Sequence, residues 1–358
     1  MSTEFACDQE TDLPVFQNEQ SWYGRDLQSN PEWVYELSGR EQLEVRDAVA
    51  KAIAGNVDLV SMTAADFALG SFGVRLVEIG REIKHGRGFA LIRGLNTLGL
   101  TLQEQAYAFR GIGAHFGEAV SQNAKGHVLG HVANLGLDYS DPTTRGYQTP
   151  AELRFHTDAA DIVGLMCIQR ARSGGLSRIA SSTTVWNEAV RRRPDLAAEL
   201  TKAYCFTRWG EERPGQSPYF QIPLFRQHGE RMIAVFIAGA IEKAQALPGV
   251  ALLTRQQREA IALVNELACD DEIRLDMEFR PGDMQFLLNH GILHARTAYE
   301  DFPEPDKRRH LLRLWLACPD GPPLPDYMTT EFQGRTASGR PDGIHLPGVE
   351  LKANLVPD

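Results

Sequence analysis

The segment 273–289 constrains the fold more than any other. Ile273, Leu275, Met277 and Phe279 alternate strictly with Arg274, Asp276, Glu278 and Arg280, the two-residue period of a strand with one buried face and one wet one. Pro281-Gly282-Asp283 supplies a turn, and residues 284–289 read as a second strand, so a hairpin is expected. A further strand is legible at 307–317. Its alternation puts Leu312, Leu314 and Leu316 on one face and Arg309, Leu311, Arg313 and Trp315 on the other. Two arginines sharing a face with Leu and Trp fit an edge strand only if surface carboxylates pair with them. If the face is instead a barrel interior, their charge calls for a buried anion, and a guanidinium fork suits a carboxylate.

The N-terminal half has the helical period. Leu43, Val45, Val49 and Ile53 mark a helix over 41–54 with Gly55 placed to stop it, and a second helix, 74–84, ends in Gly86 and Gly88. A short apolar strand, 89–95, follows. Thr101 with Glu104 forms a capping box for a third helix that closes near Phe116-Gly117. Residues 1–40 carry Trp22, Tyr23, Trp33 and Tyr35 without a sustained period and read as an irregular packing arm. A late helix, 254–269, has Ile261, Leu263, Val264 and Leu267 on its apolar side. Residues 320–358, rich in Pro and Gly, are expected to wrap the surface. Helices early and antiparallel strands late indicate an α+β chain built on an antiparallel sandwich or barrel, taken as one domain over 1–358.

Charge and cysteine usage exclude several functions. Thirty-seven Lys and Arg against 47 Asp and Glu give −10 over 358 residues, so a broad phosphate-binding face would oppose the overall field and nucleic acid is not an expected partner. The first twelve residues are acidic and lack an apolar core, and no run of 18 apolar residues occurs, so neither secretion nor membrane spanning is expected. Five cysteines, with no CxxC pair, argue against a disulfide framework or a zinc-thiolate site and for the reducing cytoplasm. The expected partner is a small-molecule substrate, and a homo-oligomer is compatible with the sequence.

The chemistry centres on His156-Thr157-Asp158. In an extended segment residues i and i+2 project from one face, so imidazole and carboxylate can meet one cation. With ten His and 47 acidic residues, about 1.3 such spacings arise by chance, and the chain has two. The other, His228-Gly229-Glu230, lies in a polar stretch that reads as a solvated turn. A third ligand is needed. His294 follows an apolar strand in P-G-D-M-Q-F-L-L-N-H-G-I-L-H-A-R-T, with His290 as its rival; a core histidine bonded to backbone is the plainer account of either. Two His and one carboxylate on one face of an octahedral ion leave three positions open, the arrangement of non-haem Fe(II) oxygenases.

Taken in order, F-H-T-D, S-G-G-L-S (173–177), P-G-D…N-H-G-I-L-H-A-R-T and R-R-H-L-L-R resemble the taurine dioxygenase (TauD/TfdA-like) family of Fe(II)- and 2-oxoglutarate-dependent oxygenases, as do the early G-F-A-L-I-R-G-L and A-H-F-G segments. The resemblance covers roughly 88–317. It implies a double-stranded β-helix, the clavaminate synthase-like jelly-roll, over 88–317 with flanking helices, an N-terminal arm and helices over 1–87, and a C-terminal wrap over 318–358. It also implies iron ligands at His156, Asp158 and His294, and an arginine for the distal carboxylate of 2-oxoglutarate at Arg309. The assisting hydroxyl falls on Ser177, where relatives commonly carry Thr, and Arg313 matches a second family arginine that contacts prime substrate or co-substrate. Fe(II), 2-oxoglutarate and O2 would together hydroxylate or desaturate a small substrate, releasing succinate and CO2. Because a carboxylate stands at position 158, halide has no vacant ligand site, and hydroxylation is favoured over halogenation.

The chain departs from the family where taurine-type members place a histidine shortly after F-G-E: here Gln122 and Asn123 stand. Taurine is therefore not expected as substrate. Insertions at 124–142 and 209–223 are expected to line and cover the pocket, with Tyr139, Tyr147, Trp209, Tyr219 and Phe220 as its aromatic wall; core packing is the plainer account of each. Two other functions fit parts of the pattern. A non-catalytic jelly-roll protein that binds or senses metal or carboxylate would form no succinate, and a cupin-like hydrolase or isomerase using the triad as a Lewis acid would have no use for Arg309.

Overall fold

The computed structural model describes residues 13–137 and 146–357; Cys7 and Tyr139 lie outside them. Nine strands organise the site: β1 (Phe89–Arg93), β2 (Leu129–Ala133), β3 (Leu153–His156), β4 (Ile162–Gln169), β5 (Ser177–Ser181), β6 (Leu275–Met277), β7 (Met284–Leu288), β8 (Ile292–Arg296) and β9 (His310–Ala317). The larger sheet runs β1-β7-β4-β9, with β2 beyond β9 and Val34–Glu36 parallel to β1 at the far edge. The smaller runs β6-β5-β8-β3, all antiparallel. The two sheets face each other as a double-stranded β-helix, the jelly-roll expected from the motifs.

The expected hairpin does not form. β6 pairs with β5 in the smaller sheet, whereas β7 pairs with β1 and β4 in the larger one. The turn at 281–283 is thus a corner between sheets. Its Asp283 carboxylate accepts from the Arg280 backbone N–H (2.9 Å) and pairs with Arg93 (2.7 Å), while Gly282 N–H donates to the Cys167 carbonyl of β4 (2.8 Å). Two-residue alternation is the same whether the next strand folds back beside its neighbour or crosses to the opposite sheet, so periodicity alone could not separate the two.

Strand alternation sorts side chains into layers. Leu312, Leu314 and Leu316 of β9 join an outer core with α2 (Gly39–Ala54), α3 (Ser71–His85) and α4 (Leu102–Ala114), whereas Leu311 and Trp315 face the space between the sheets with Phe89, Leu91, Val163, Ile179 and Leu287. A third core lies on the outer face of the smaller sheet. It holds α5 (Ser182–Arg192), α6 (Pro194–Leu200), α7 (Ala238–Ala244) and α8 (Arg255–Cys269).

Thr101 and Glu104 form the anticipated capping box, and Ser38 with Glu41 and Thr254 with Gln257 form two more. The buried stripe of α2 is Val45, Ala48, Val49 and Ala52, with Leu43 exposed; on α3 it is Phe72, Leu76, Ile79 and Ile83, with Val74 and Val77 exposed. Alanine and aromatic positions, not only the large aliphatics, set those faces. The N-terminal arm is more regular than its sequence suggests. It contains α1 (Gly24–Ser29), and Trp22 and Trp33 pack on Phe89 with ring centroids 5.3 and 5.9 Å away. The C-terminal segment does more than wrap the surface, because Gly343–Ile344 pairs with Ser121–Gln122 and its neighbours border the central cavity. No helix among the described residues is long and apolar enough to cross a membrane.

The sheet-to-sheet corner makes a stability prediction. Gly282 has φ +88°, and a Cβ there would collide with the Leu95 carbonyl. Gly282→Ala is expected to destabilise the protein by about 1–3 kcal/mol through a strained backbone conformation, read as a lowered urea midpoint with an unchanged slope.

Candidate metal centre and co-substrate pocket

Register brings the histidines together. His156 closes β3 and His294 lies on β8 directly opposite it, with ring centroids 4.2 Å apart. Between His294 and Arg296 the partner strand carries an extra residue, a bulge that re-aims side chains beside the site. Asp158, two residues beyond β3, closes the cluster: one oxygen lies 3.9 Å from His156 Nε2 and the other 3.7 Å from His294 Nε2. Ligand atoms of His156, Asp158 and His294 all fall within 4.8 Å of one another.

The surroundings prepare these groups for a cation. The His156 ring contacts the Arg154 carbonyl through Nδ1 at 2.9 Å; with the proton held there, Nε2 presents its lone pair to the cluster. Burial and the neighbouring His294 push the His156 pKa down to about 3, so the ring is neutral. For Asp158 burial alone would raise the carboxyl, but Arg313 and the two imidazoles outweigh it and hold it well below the usual carboxylate range. Trp315 Nε1 donates to Asp158 Oδ2 at 2.8 Å and Arg313 Nη1 reaches the same oxygen at 3.3 Å, which leaves Oδ1 turned to His156. Two imidazoles and one carboxylate whose Oδ1 is paired with no Lys or Arg among the described residues fit a divalent ion such as Fe(II).

The loop 157–161 is held by side chains from distant parts of the chain. Asn289 Oδ1 accepts from the Asp158 backbone N–H (2.7 Å), and its Nδ2 donates to the carbonyls of Asp158 (2.7 Å) and Ala160 (2.9 Å). Asp161, fully buried, takes two bonds from Arg340 of the C-terminal segment and one from the Cys318 backbone. Asn289 was visible in the N-H-G motif. The Arg340 contact spans 179 residues and has no local signal. His290, the rival ligand, does not reach the cluster. It is buried beside Asp161, Nε2 3.8 Å from the carboxylate, and burial lowers its pKa to about 4.

Arg309, Ser177 and Arg313 all face the space between the sheets and line the cavity that contains His156, Asp158 and His294. Arg309 is 5% exposed, and its Nη1 has no hydrogen-bond partner among the described residues. Gly175 makes room for it: φ is +73°, and a Cβ there would lie 3.0 Å from Arg309 Nε. This is the role of the second glycine in S-G-G-L-S. Arg313 lies between the Tyr147 and Trp315 rings, 4.7 and 4.9 Å from their centroids.

A larger adjoining cavity of about 200 Å³ is walled by Tyr147, Trp209, Phe220, Trp315 and, from the C-terminal segment, Phe332 and Gln333. Tyr147 and Trp209 both line it. Gln122, Asn123 and Tyr219 do not line this cavity. Gln122 is buried in the barrel wall with its amide fully engaged: Oε1 accepts from Arg313 Nε (2.7 Å), and Nε2 donates to the Arg313 (2.8 Å) and Val128 (3.1 Å) carbonyls. Asn123 ties its own turn together through the Lys125 N–H and the His127 ring. The Tyr219 hydroxyl lies beside Gly249. Of the two insertions, 209–223 borders this larger cavity, whereas the described part of 124–142 borders, through Val132, the smaller one that contains His156, Asp158 and His294.

Asn289→Ala removes three buried hydrogen bonds from the loop bearing Asp158 and strands their backbone partners. A loss of about 2–4 kcal/mol is expected in chemical denaturation.

The comparisons agree with this geometry. The family model described as "Taurine catabolism dioxygenase TauD, TfdA family" matches residues 50–315. The FR-33289 synthase of Streptomyces rubellomurinus is 29% identical over 326 residues, spanning 89% of this chain and 95% of that protein. A taurine hydroxylase-like protein, SAT17, of Stachybotrys chartarum is 29% identical over 307 residues, spanning 83% and 78%. Among solved structures, an asparagine oxygenase in complex with Fe(II), 3-hydroxyasparagine and succinate superposes with a TM-score of 0.62 at 15% identity, covering 80% of this chain and 93% of that one. The non-heme iron oxygenase OrfP in complex with Fe and alpha-ketoglutaric acid gives 0.60 at 14% identity, covering 79% and 93%; both share the fold. With three-quarters of its length matched, the chain belongs to the taurine catabolism dioxygenase (TauD, TfdA) family of Fe(II)- and 2-oxoglutarate-dependent oxygenases.

Proposed function

We propose that His156, Asp158 and His294 hold Fe(II), that Arg309 and Ser177 hold the distal carboxylate of 2-oxoglutarate, and that a small organic substrate in the adjoining cavity is hydroxylated as succinate and CO2 are released. The observation that carries this reading is a convergence: two imidazoles and a carboxylate sit in one cavity with a buried guanidinium whose Nη1 has no partner among the described residues. Bound there, the metal would supply the redox chemistry with dioxygen that no side chain can provide. The protein's own work is placement. Arg154 fixes the His156 tautomer, and Trp315 with Arg313 orients Asp158. The aromatic walls at Tyr147, Trp209, Phe220 and Phe332 exclude water from the reacting carbon. Arg313, at the boundary between metal centre and outer cavity, is the contact proposed for the metal-end carboxylate of the co-substrate or for the prime substrate. The setting is the reducing cytoplasm, where the free Cys167, Cys205, Cys269 and Cys318 would stay as thiols.

Anaerobic protein given Fe(II) and 2-oxoglutarate should develop a weak visible charge-transfer band, absent in His156→Ala and Asp158→Ala, and form succinate on admission of oxygen. A wild type with neither band nor succinate would overturn the proposal and favour a binding protein. Trp315→Phe keeps the packing but loses the indole N–H on Asp158, so metal affinity should fall about 10- to 100-fold in an anaerobic Fe(II) titration.

A further inference from the structure

The co-substrate end of the cavity contains a second buried arginine. Arg296 follows His294 by two residues on β8 and is 5% exposed. It is the direct cross-strand partner of Ser177 on β5, which places the two side chains next to each other on one face. Its Nη2 donates to the carbonyls of Thr149 (3.0 Å) and Ala151, and its Nε to that of Thr297 (3.3 Å). Its Nη1, like that of Arg309, has no partner among the described residues. Arg309 comes from the opposite sheet, and both guanidiniums contact the Tyr299 ring, Cζ 4.7 Å (Arg296) and 5.0 Å (Arg309) from its centroid. The nearby Asp301 does not neutralise them through a described ion pair; its carboxylate takes the Arg309 backbone N–H at 2.8 Å.

Two like charges out of water, each with an unused donor and both lining one cavity with Ser177, are unfavourable unless an anion joins them. We infer that Arg296 is a second anchor for the distal carboxylate of 2-oxoglutarate. This rests on the proposed co-substrate site. A carboxylate accepts at about four lone-pair positions, enough for Arg296, Arg309 and the Ser177 hydroxyl together. Because the same guanidinium holds the carbonyls of Thr149 and Ala151, beside cavity-lining Tyr147, it also ties the co-substrate to the wall of the substrate cavity.

The test compares 2-oxoglutarate with 2-oxovalerate, which has the same chain length but no distal carboxylate, by calorimetric titration of anaerobic Fe(II)-loaded protein. Arg296→Gln should lose about 10- to 100-fold in affinity for 2-oxoglutarate and keep its affinity for 2-oxovalerate. A variant that retains the wild-type preference, or weakens both ligands equally, overturns the anchor and leaves Arg309 in place. If Arg309→Ala also retains the preference, the underlying co-substrate site fails instead. Should Arg296→Gln not fold, Arg296→Lys decides: a point charge without the fork should lower the preference several-fold, and an unchanged preference overturns the inference.

Discussion

The pairing of His156 with His294 across the smaller sheet is the constraint on which the site depends. Side chains alternate with a period of two, so a one-residue slip of β3 against β8 would turn one imidazole into the outer core and leave the other facing the cavity alone. Asn289 guards the same geometry from the larger sheet: three bonds to the backbone of Asp158 and Ala160 fix the loop that delivers the carboxylate. The candidate metal centre and the fold are therefore one structure, since His156 and His294 sit where β3 and β8 are held in register.

The barrel interior is divided by polarity. Toward one end lie Phe89, Leu91, Leu275 and Leu287, an ordinary apolar core. Toward the other, Arg296, Arg309, Arg313, Ser177, His156, Asp158 and His294 line a cavity and are largely withdrawn from solvent. Burying that much unsatisfied polarity works against stability and is the pattern expected where binding, not folding, sets the residue choice. Arg313 shows how part of it is managed, for its charge is shared among Asp158, the Gln122 amide and two aromatic faces.

The C-terminal segment extends the site beyond the stretch that matches the family. Arg340 locks onto Asp161 in the loop that carries Asp158, and Arg213 reaches Asp342 (2.6 Å) from the insertion that forms the opposite wall. Phe332 stacks on Phe220 at 4.8 Å, joining the same two elements. The substrate cavity is thus closed by parts of the chain that lie outside the β-helix or were inserted into it, and these differ most readily among proteins of one fold.

Much of this was legible without coordinates. The alternation of β9 placed Leu312, Leu314 and Leu316 apart from Arg309, Arg313 and Trp315, because strand period is a local property of covalent geometry. The spacing of His156 and Asp158 and the capping box of α4 were equally local. Tertiary structure alone decided the rest. Whether β6 and β7 formed a hairpin or crossed between sheets depended on which distant strands offered free edges. That the Gln122 amide is engaged within the barrel wall depended on Arg313, 191 residues away. Partnership between groups remote along the chain is a matter of distance in space, and no local pattern encodes it.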